Sequence, residues 1–197
     1  MDQPQQPPKE LHTEKLMPPY RRGSHTEDLV DHYWGSINYV FGLIKASEIK
    51  AGLILSFYGI LFNIIYLNHA HILSTAKEYT YIYLLMAVWT CLTIASIYFS
   101  IRCFMPKIEG KFDKNMFFFE DVITKYGGIK EFSKTFYKVS LDEVELFDQL
   151  GQQIYVNSKI ADAKFKLVNK AIRFLAFSLL LLFLLLVSGI FISVLSE

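Results

Sequence analysis

The chain has 197 residues, of which 52% are hydrophobic and 20% are charged, and its formal net charge is +1. Its mean hydropathy of +0.28 is high for a soluble domain of this length, and its nearly balanced charge does not suggest a nucleic acid partner. The charged residues are absent from three long apolar runs, so three membrane spans are favoured over the alternative of buried core helices in a soluble protein.

The N-terminal part is predicted to be a tail followed by a helix. Residues 1–25 hold five of the six prolines and show no periodicity, which predicts a disordered Pro-rich tail. Ser24 and Glu27 fit a capping box, and a stalk helix is predicted over 26–50. Its apolar residues recur at steps of three and four: Val30, Trp34, Ile37, Phe41 and Ile44.

The first apolar run, 51–67, is predicted to be a transmembrane helix. A span needs about 20 residues, and Lys50 extends this short run because its ammonium group can reach the interface. No proline separates stalk from span, so one helix is expected to pass through both. Glu48, Lys50 and Gly52 are therefore predicted to couple the stalk to the membrane at the interface.

One face of this span carries small or polar residues at steps of four, three and four. They are Gly52, Ser56, Gly59 and Asn63. Helices in lipid associate through close backbone approach and polar contacts, so this stripe is predicted to be a helix-packing face. The partner helix can belong to the same chain or to another subunit, and we expect a homo-oligomer. For Asn63 an interhelical hydrogen bond is favoured over a pore-lining position.

Residues 81–101 are predicted to form the second span, and residues 102–173 a cytoplasmic helical region. Within that region we expect a short apolar element in "MFFFEDV", a turn at Gly127-Gly128 and a helix in "IKEFSKTFYKV".

A second capping box, from Ser140 to Glu143, is predicted to begin another long helix that continues into span three, 174–195. The two long helices are predicted to pack as an antiparallel pair or a small bundle. The predicted fold is an all-α membrane protein with three transmembrane helices and a small cytoplasmic helical bundle, which is formed by the long helices continuous with spans one and three.

The distribution of lysine and arginine predicts the orientation. Cations precede the first and third spans and follow the second, whereas the loop after span one has only Lys77, offset by Glu78. The positive-inside rule places the N-terminus and residues 102–173 in the cytoplasm. The lipid bilayer is the first partner that these spans imply.

The sequence contains no motif typical of catalysis, so we expect neither catalytic residues, nor a metal site, nor a cofactor. One polar stretch, "QQIYVNSKIADAKFK", stands out before span three. Its candidate ligand-binding residues are Gln153, Asn157, Ser158, Lys159 and Lys164. Amides, a hydroxyl and ammonium groups together can bind a phosphate and a base edge. The alternative is a polar ridge inside the bundle, with its hydrogen bonds satisfied by neighbouring backbone.

Two stretches resemble the signatures of the Pycsar effector family of bacterial anti-phage systems. The first, "ASEIKAGLIL", precedes span one, and the family's usual Asp is replaced by Glu48. The second precedes span three and comprises Gln153-Ile154, Ser158-Lys159-Ile160 and Lys164. The resemblance covers nearly everything except the tail.

The resemblance implies a role that the spacing of the residues does not show. A pyrimidine nucleotide cyclase would make cyclic UMP or cyclic CMP during infection and act on this chain only through that product. The chain would sense the nucleotide as its regulatory ligand, impair the inner membrane and cause abortive infection. Two other functions stay open: a constitutive membrane anchor or scaffold that recruits a cytoplasmic partner, and a small channel or transporter.

Overall fold

The computed structural model describes residues 25–69, 80–105 and 114–195, and these residues form five helices and no strand. The helices are α1 (Thr26–Leu67), α2 (Thr80–Phe104), α3 (Phe119–Thr124), α4 (Ile129–Leu141) and α5 (Glu143–Leu195). The prediction of an all-α protein with three helices able to span a membrane is confirmed. The predicted tail lies, except for His25, outside the described residues.

Helices α1 and α5 are much longer than a bilayer requires. They contain 42 and 53 residues. At about 1.5 Å per residue they measure roughly 63 and 80 Å, whereas the hydrocarbon core of a bilayer is about 30 Å thick. Each helix therefore continues without a break from an apolar span into a polar segment, as predicted from the absence of proline. We call residues 26–50 and 143–173 the stalk.

The prediction that the two long helices pack antiparallel is wrong, because α1 and α5 run parallel. The hydroxyl of Thr26 donates to Glu143 Oε1 at 3.0 Å, near the N-termini of both helices. Further along, the hydroxyls of Tyr58 and Ser178 are hydrogen-bonded at 3.0 Å. The direction has a simple topological cause: in a chain with three consecutive spans, the first and third must cross the membrane in the same direction.

Helix α2 runs antiparallel to both and completes a three-helix core. Ser96 donates a hydrogen bond to the carbonyl of Ala171 at 2.9 Å, which fixes α2 against α5. The buried apolar residues of this core come from all three helices: Ala51, Ile54, Tyr58, Cys103, Val168 and Ala171. The small residues Ala51, Cys103 and Ala171 let the three backbones approach closely near the base of the stalk.

The segment 114–141 docks on the first turns of α5. Asn115 is fully buried, its amide nitrogen donates to the carbonyl of Gln149 at 2.7 Å, and the backbone N–H of Met116 donates to Gln149 Oε1 at 2.9 Å. Phe117 reaches α1 and meets the ring of Trp34 edge-on. The predicted turn is present, with Gly127 at a φ of 73° that favours glycine.

The two predicted capping boxes have different outcomes. Helix α1 begins at Thr26 after His25, and the predicted cap Ser24 lies outside the described residues. The prediction that Ser140 caps α5 is wrong, because Ser140 belongs to α4 and donates its hydroxyl hydrogen to the carbonyl of Phe136. Asp142 caps α5 instead, where its carboxylate accepts from the N–H groups of Val144 and Glu145 at 3.1 and 3.3 Å.

Candidate functional site

A buried lysine joins the three long helices at the base of the stalk. Lys164 of α5 is only 2% exposed. Its ammonium nitrogen lies 2.6 Å from Glu48 Oε1 of α1 and 2.8 Å from the carbonyl oxygen of Cys103 of α2. We call Glu48, Cys103 and Lys164 the junction.

The second contact of Lys164 stabilises the end of α2. The last four carbonyl groups of a helix have no partner within the helix, and Cys103 is the penultimate residue of α2. An ammonium group at this position satisfies one of these carbonyls and interacts favourably with the negative end of the helix dipole. Lys164 therefore serves simultaneously as an ion-pair partner for α1 and as a cap for α2.

Close packing shields the lysine side of the junction from water. Ser47, Ala51 and Cys103 are completely buried, and the Cys103 sulfur lies 3.8 Å from the carbonyl oxygens of both Ser47 and Lys164. Small side chains at these positions let α1, α2 and α5 converge around a single charge pair. The Glu48 side chain is half-buried, so the buried ammonium group of Lys164 is the charge that is costly to leave without its partner.

The predicted interface residues Glu48, Lys50 and Gly52 do not all reach the junction. Glu48 belongs to it. Lys50 is exposed on the other side of α1, with its ammonium nitrogen 5.7 Å from the centre of the Phe165 ring. Gly52 is half-buried, and a Cβ at this position would lie 3.8 Å from the ring of Phe104. Their predicted role in coupling the stalk to the span remains a prediction.

The five predicted ligand-binding residues divide into two groups. Gln153, Asn157 and Lys164 are buried, whereas Ser158 and Lys159 are exposed. The ammonium group of Lys164 is occupied by the junction. By contrast, Gln153 Oε1 and Asn157 Nδ2 are buried without a hydrogen-bond partner. The structure therefore separates two inward-facing amides with unused hydrogen-bonding capacity from an outward-facing hydroxyl and ammonium group.

The predicted packing stripe of span one faces away from the other helices. Ser56, Gly59 and Asn63 are exposed, and a Cβ built on Gly59 would meet nothing within 4 Å. Only Gly52, at the start of the stripe, approaches α2, through Phe104. Within the described chain this face is thus not the one on which α1 packs against α2 and α5.

A polar seam in α2 was missed by the sequence analysis. It comprises Trp89, Thr93, Ser96, Ser100 and Cys103, all of which are buried. Their spacing of four, three, four and three residues places them on one side of the helix. This spacing was the sequence pattern from which the seam could have been predicted. The indole nitrogen of Trp89 and the hydroxyl of Thr93 have no hydrogen-bond partner.

A second missed feature is the polar cluster that anchors segment 114–141. The Asp121 carboxylate accepts a hydrogen bond from the backbone N–H of Asn115 at 3.0 Å. It also forms an ion pair with the ammonium group of Lys125 at 2.8 Å. Burial raises the pKa of Asp121, but the hydrogen bonds from Lys125 and Asn115 outweigh burial and hold that pKa below its ordinary value. The Asp121 carboxylate is therefore charged at neutral pH and holds this segment in place.

Comparison with known protein families gave one informative match. A model described as the Pycsar effector protein domain, PycTM, matches residues 32–191. The match begins within the first stalk segment, ends within span three and includes the junction. Comparisons with curated proteins and with solved structures gave no match.

Proposed function

Because this chain belongs to the Pycsar effector family, we propose that its anti-phage role is to impair the inner membrane when cyclic UMP or cyclic CMP binds to it. The observation that carries the proposal is the family match across residues 32–191, which covers most of every helix able to span a membrane. The effector is non-catalytic in this proposal, and a pyrimidine nucleotide cyclase supplies its ligand. Death of the infected cell before phage mature is the expected consequence.

The proposed orientation places the stalk in the cytoplasm, where a cyclase would release its product. The lysines and arginines that flank the first and third spans lie on the stalk side, in agreement with the positive-inside rule. A ligand shifts a conformational equilibrium only if it binds the two states with different affinity. The stalk is cytoplasmic in this orientation and continuous with the spans, so the proposed difference between the two states lies in the stalk.

The unbroken α1 and α5 helices support transmission from the stalk to the membrane. A change in their separation within the stalk alters their separation in the span, because neither helix contains a proline or a loop at the boundary. The junction lies at this boundary and links both helices to α2. In this mechanism the Glu48–Lys164 pair holds the resting arrangement, and the ligand favours an arrangement in which the spans repack.

The outward stripe of span one supports assembly of the effector as a homo-oligomer. An exposed Asn63 amide would face hydrocarbon in an isolated chain, where an unsatisfied polar group is unfavourable. Ser56 and Gly59 leave room for a second helix to approach closely. Contact between copies through this face would also allow several chains to disturb the bilayer together.

Dye leakage from liposomes that contain the purified protein tests the proposed function. Cyclic UMP, cyclic CMP, cyclic AMP and buffer are compared after insertion has been verified by protease protection. We expect leakage with a cyclic pyrimidine nucleotide and none with buffer. Equal leakage in every condition would instead indicate a constitutive channel.

A constitutive scaffold is the second candidate, because segment 114–141 exposes large apolar side chains. Phe119, Ile123 and Ile129 are 84%, 71% and 86% exposed. Exposed apolar residues of this size often mark a protein contact. The scaffold predicts no leakage with any nucleotide, together with a cytoplasmic protein that co-purifies with the chain and is lost when Phe119 and Ile123 are changed to Ser.

A further inference from the structure

Two side-chain amides of the stalk have hydrogen-bonding groups that nothing in the described structure uses. Gln153 and Asn157 are 6% and 3% exposed, and Gln153 Oε1 and Asn157 Nδ2 have no partner. Buried polar groups are nearly always hydrogen-bonded, because an unsatisfied group loses its interaction with water without replacement. A pair of such groups one helical turn apart therefore indicates a site that is completed by something other than the chain.

Contacts between α1 and α5 lie on both sides of the pair. The ring of Tyr33 meets that of Phe147 at 5.2 Å before it, and the Glu48–Lys164 ion pair follows it. Gln153, Asn157 and Lys164 lie on one side of α5 by helical spacing. Between the two contacts α1 buries Ile37 and Val40, whose side chains offer no hydrogen bond. The pair therefore lies along the part of α5 that runs beside α1.

The chemistry of the pair specifies the kind of ligand that would complete it. Gln153 Oε1 is an acceptor and Asn157 Nδ2 is a donor, and residues four apart on a helix have neighbouring side chains. Their complement is a planar group that presents a donor beside an acceptor. The edge of uracil has this pattern in its ring N–H and adjacent carbonyl, and cytosine has it in its amine and adjacent ring nitrogen.

We propose that Gln153 and Asn157 form the base-recognition subsite for the cyclic pyrimidine nucleotide, an inference that rests on the proposed function. The base enters between α1 and α5, where Ile37 and Val40 contact its faces and the two amides bind its edge. Because α1 and α5 are in contact on both sides of this position, insertion of a base separates the two helices. Asn157 is seven residues from Lys164, about 10.5 Å along the helix, so this separation acts close to the junction.

The test is equilibrium binding of cyclic UMP, cyclic CMP and cyclic AMP to the full chain in lipid nanodiscs. Gln153→Leu and Asn157→Leu are compared with the wild type, with Ser158→Ala on the exposed face as the matched control. Each Leu variant is expected to weaken binding of the preferred nucleotide by about tenfold, the usual effect of losing one hydrogen bond to a ligand. The control is expected to bind like the wild type.

Two further measurements distinguish recognition from a structural role. Neither Leu variant should unfold at a lower temperature than the wild type, because each removes an unsatisfied polar group from an apolar environment. Asn157→Asp replaces the donor by an acceptor opposite the acceptor of either base, so it is expected to weaken binding of cyclic UMP and cyclic CMP alike, by at least about tenfold.

The outcomes separate the subsite from the function on which it rests. If the wild type binds no cyclic nucleotide, the proposed function fails and the subsite fails with it. If the wild type binds but all three variants bind equally well with unchanged base preference, the function stands and the subsite is wrong. If the Leu variants unfold at lower temperature and Asn157→Asp binds both nucleotides like the wild type, the amides are a structural hydration site, which also overturns the proposal.

Discussion

The two partners of the junction ion pair are buried to different extents, and this asymmetry predicts unequal effects of removing them. The side chain of Lys164 is 3% exposed, whereas that of Glu48 is 38% exposed. Glu48→Ala leaves an ammonium group buried without a counter-charge. Lys164→Met leaves a carboxylate that water can reach and fills the lysine's volume with an apolar chain.

The expected loss of unfolding free energy in each variant follows from this difference in burial. Breaking a buried ion pair by removing one partner costs about 3–5 kcal/mol, and we expect about 3 kcal/mol for Glu48→Ala because water partly reaches this side of the junction. A loss of this size lowers the melting temperature of a chain of this length by about 6–12 °C. Lys164→Met loses the hydrogen bond to the Cys103 carbonyl, so we expect a smaller cost of about 1 kcal/mol.

Thermal unfolding in detergent micelles, followed by circular dichroism, measures these effects. The matched control is Asp162→Ala, which removes an ion pair to Lys166 of nearly the same length, 2.7 Å, on the exposed side of α5. That change should cost less than about 0.5 kcal/mol. The double variant Glu48→Ala/Lys164→Met should be more stable than Glu48→Ala alone. The reasoning is refuted if Lys164→Met is the more harmful single change, or if the double variant loses the sum of both single effects.

Three other predictions concern the seam, the docked segment and the outward stripe. Thr93→Val removes a buried hydroxyl that has no hydrogen-bond partner. The free energy of unfolding should therefore rise by about 1 kcal/mol in the same thermal unfolding assay. A lower melting temperature would show that this hydroxyl is hydrogen-bonded in the membrane. Because the pKa of Asp121 is below its ordinary 3.8 in the folded chain, its contribution to docking is fully present above pH 3.8 and is lost as the pH falls through the lower folded value. The protection factors of amides around Asp121, which correct exchange rates for their intrinsic pH dependence, should therefore fall in acid. Asp121→Asn should abolish that fall and give lower protection factors already at pH 7, and an equal fall in both chains would contradict this. Gly59→Leu places a large side chain on the open face of α1, where it should block the approach of a second copy. The oligomer mass in nanodiscs or detergent should fall, whereas the melting temperature of the monomer should not change. An unchanged mass for both Gly59→Leu and Asn63→Leu would exclude this face as the contact.

The elements of the fold were largely predictable because their determinants are local. Charge-free runs identify the spans, the absence of proline predicts that stalk and span share a helix, and Gly127-Gly128 predicts the turn. The errors also have local causes. Ser140 and Asp142 are both good caps, and the sequence does not show that α4 extends through Ser140 and leaves Asp142 to cap α5.

The candidate site was only partly predictable. Glu48 and Lys164 were both singled out, but for different roles, and nothing in a sequence connects residues separated by more than a hundred positions. Gln153 and Asn157 were grouped with Ser158 and Lys159 because adjacent residues on a helix are hard to assign to a buried or exposed side without knowing the partner helix. The polar seam was missed because a few hydroxyl groups barely alter the hydropathy of a span.

The sequence by itself determined which segments are helical, which of them are apolar enough to cross a membrane, and that stalk and span are continuous. Those properties depend on hydropathy, length and backbone propensity, which act over a few turns of one helix. Only the tertiary structure decided that Glu48 of α1 lies beside Lys164 of α5, that Lys164 also caps α2, and that Gln153 and Asn157 are buried while the small-residue stripe faces outward. These facts depend on the rotation and register of each helix against its neighbours, which are set by the combined packing of three helices and cannot be assigned to any one segment.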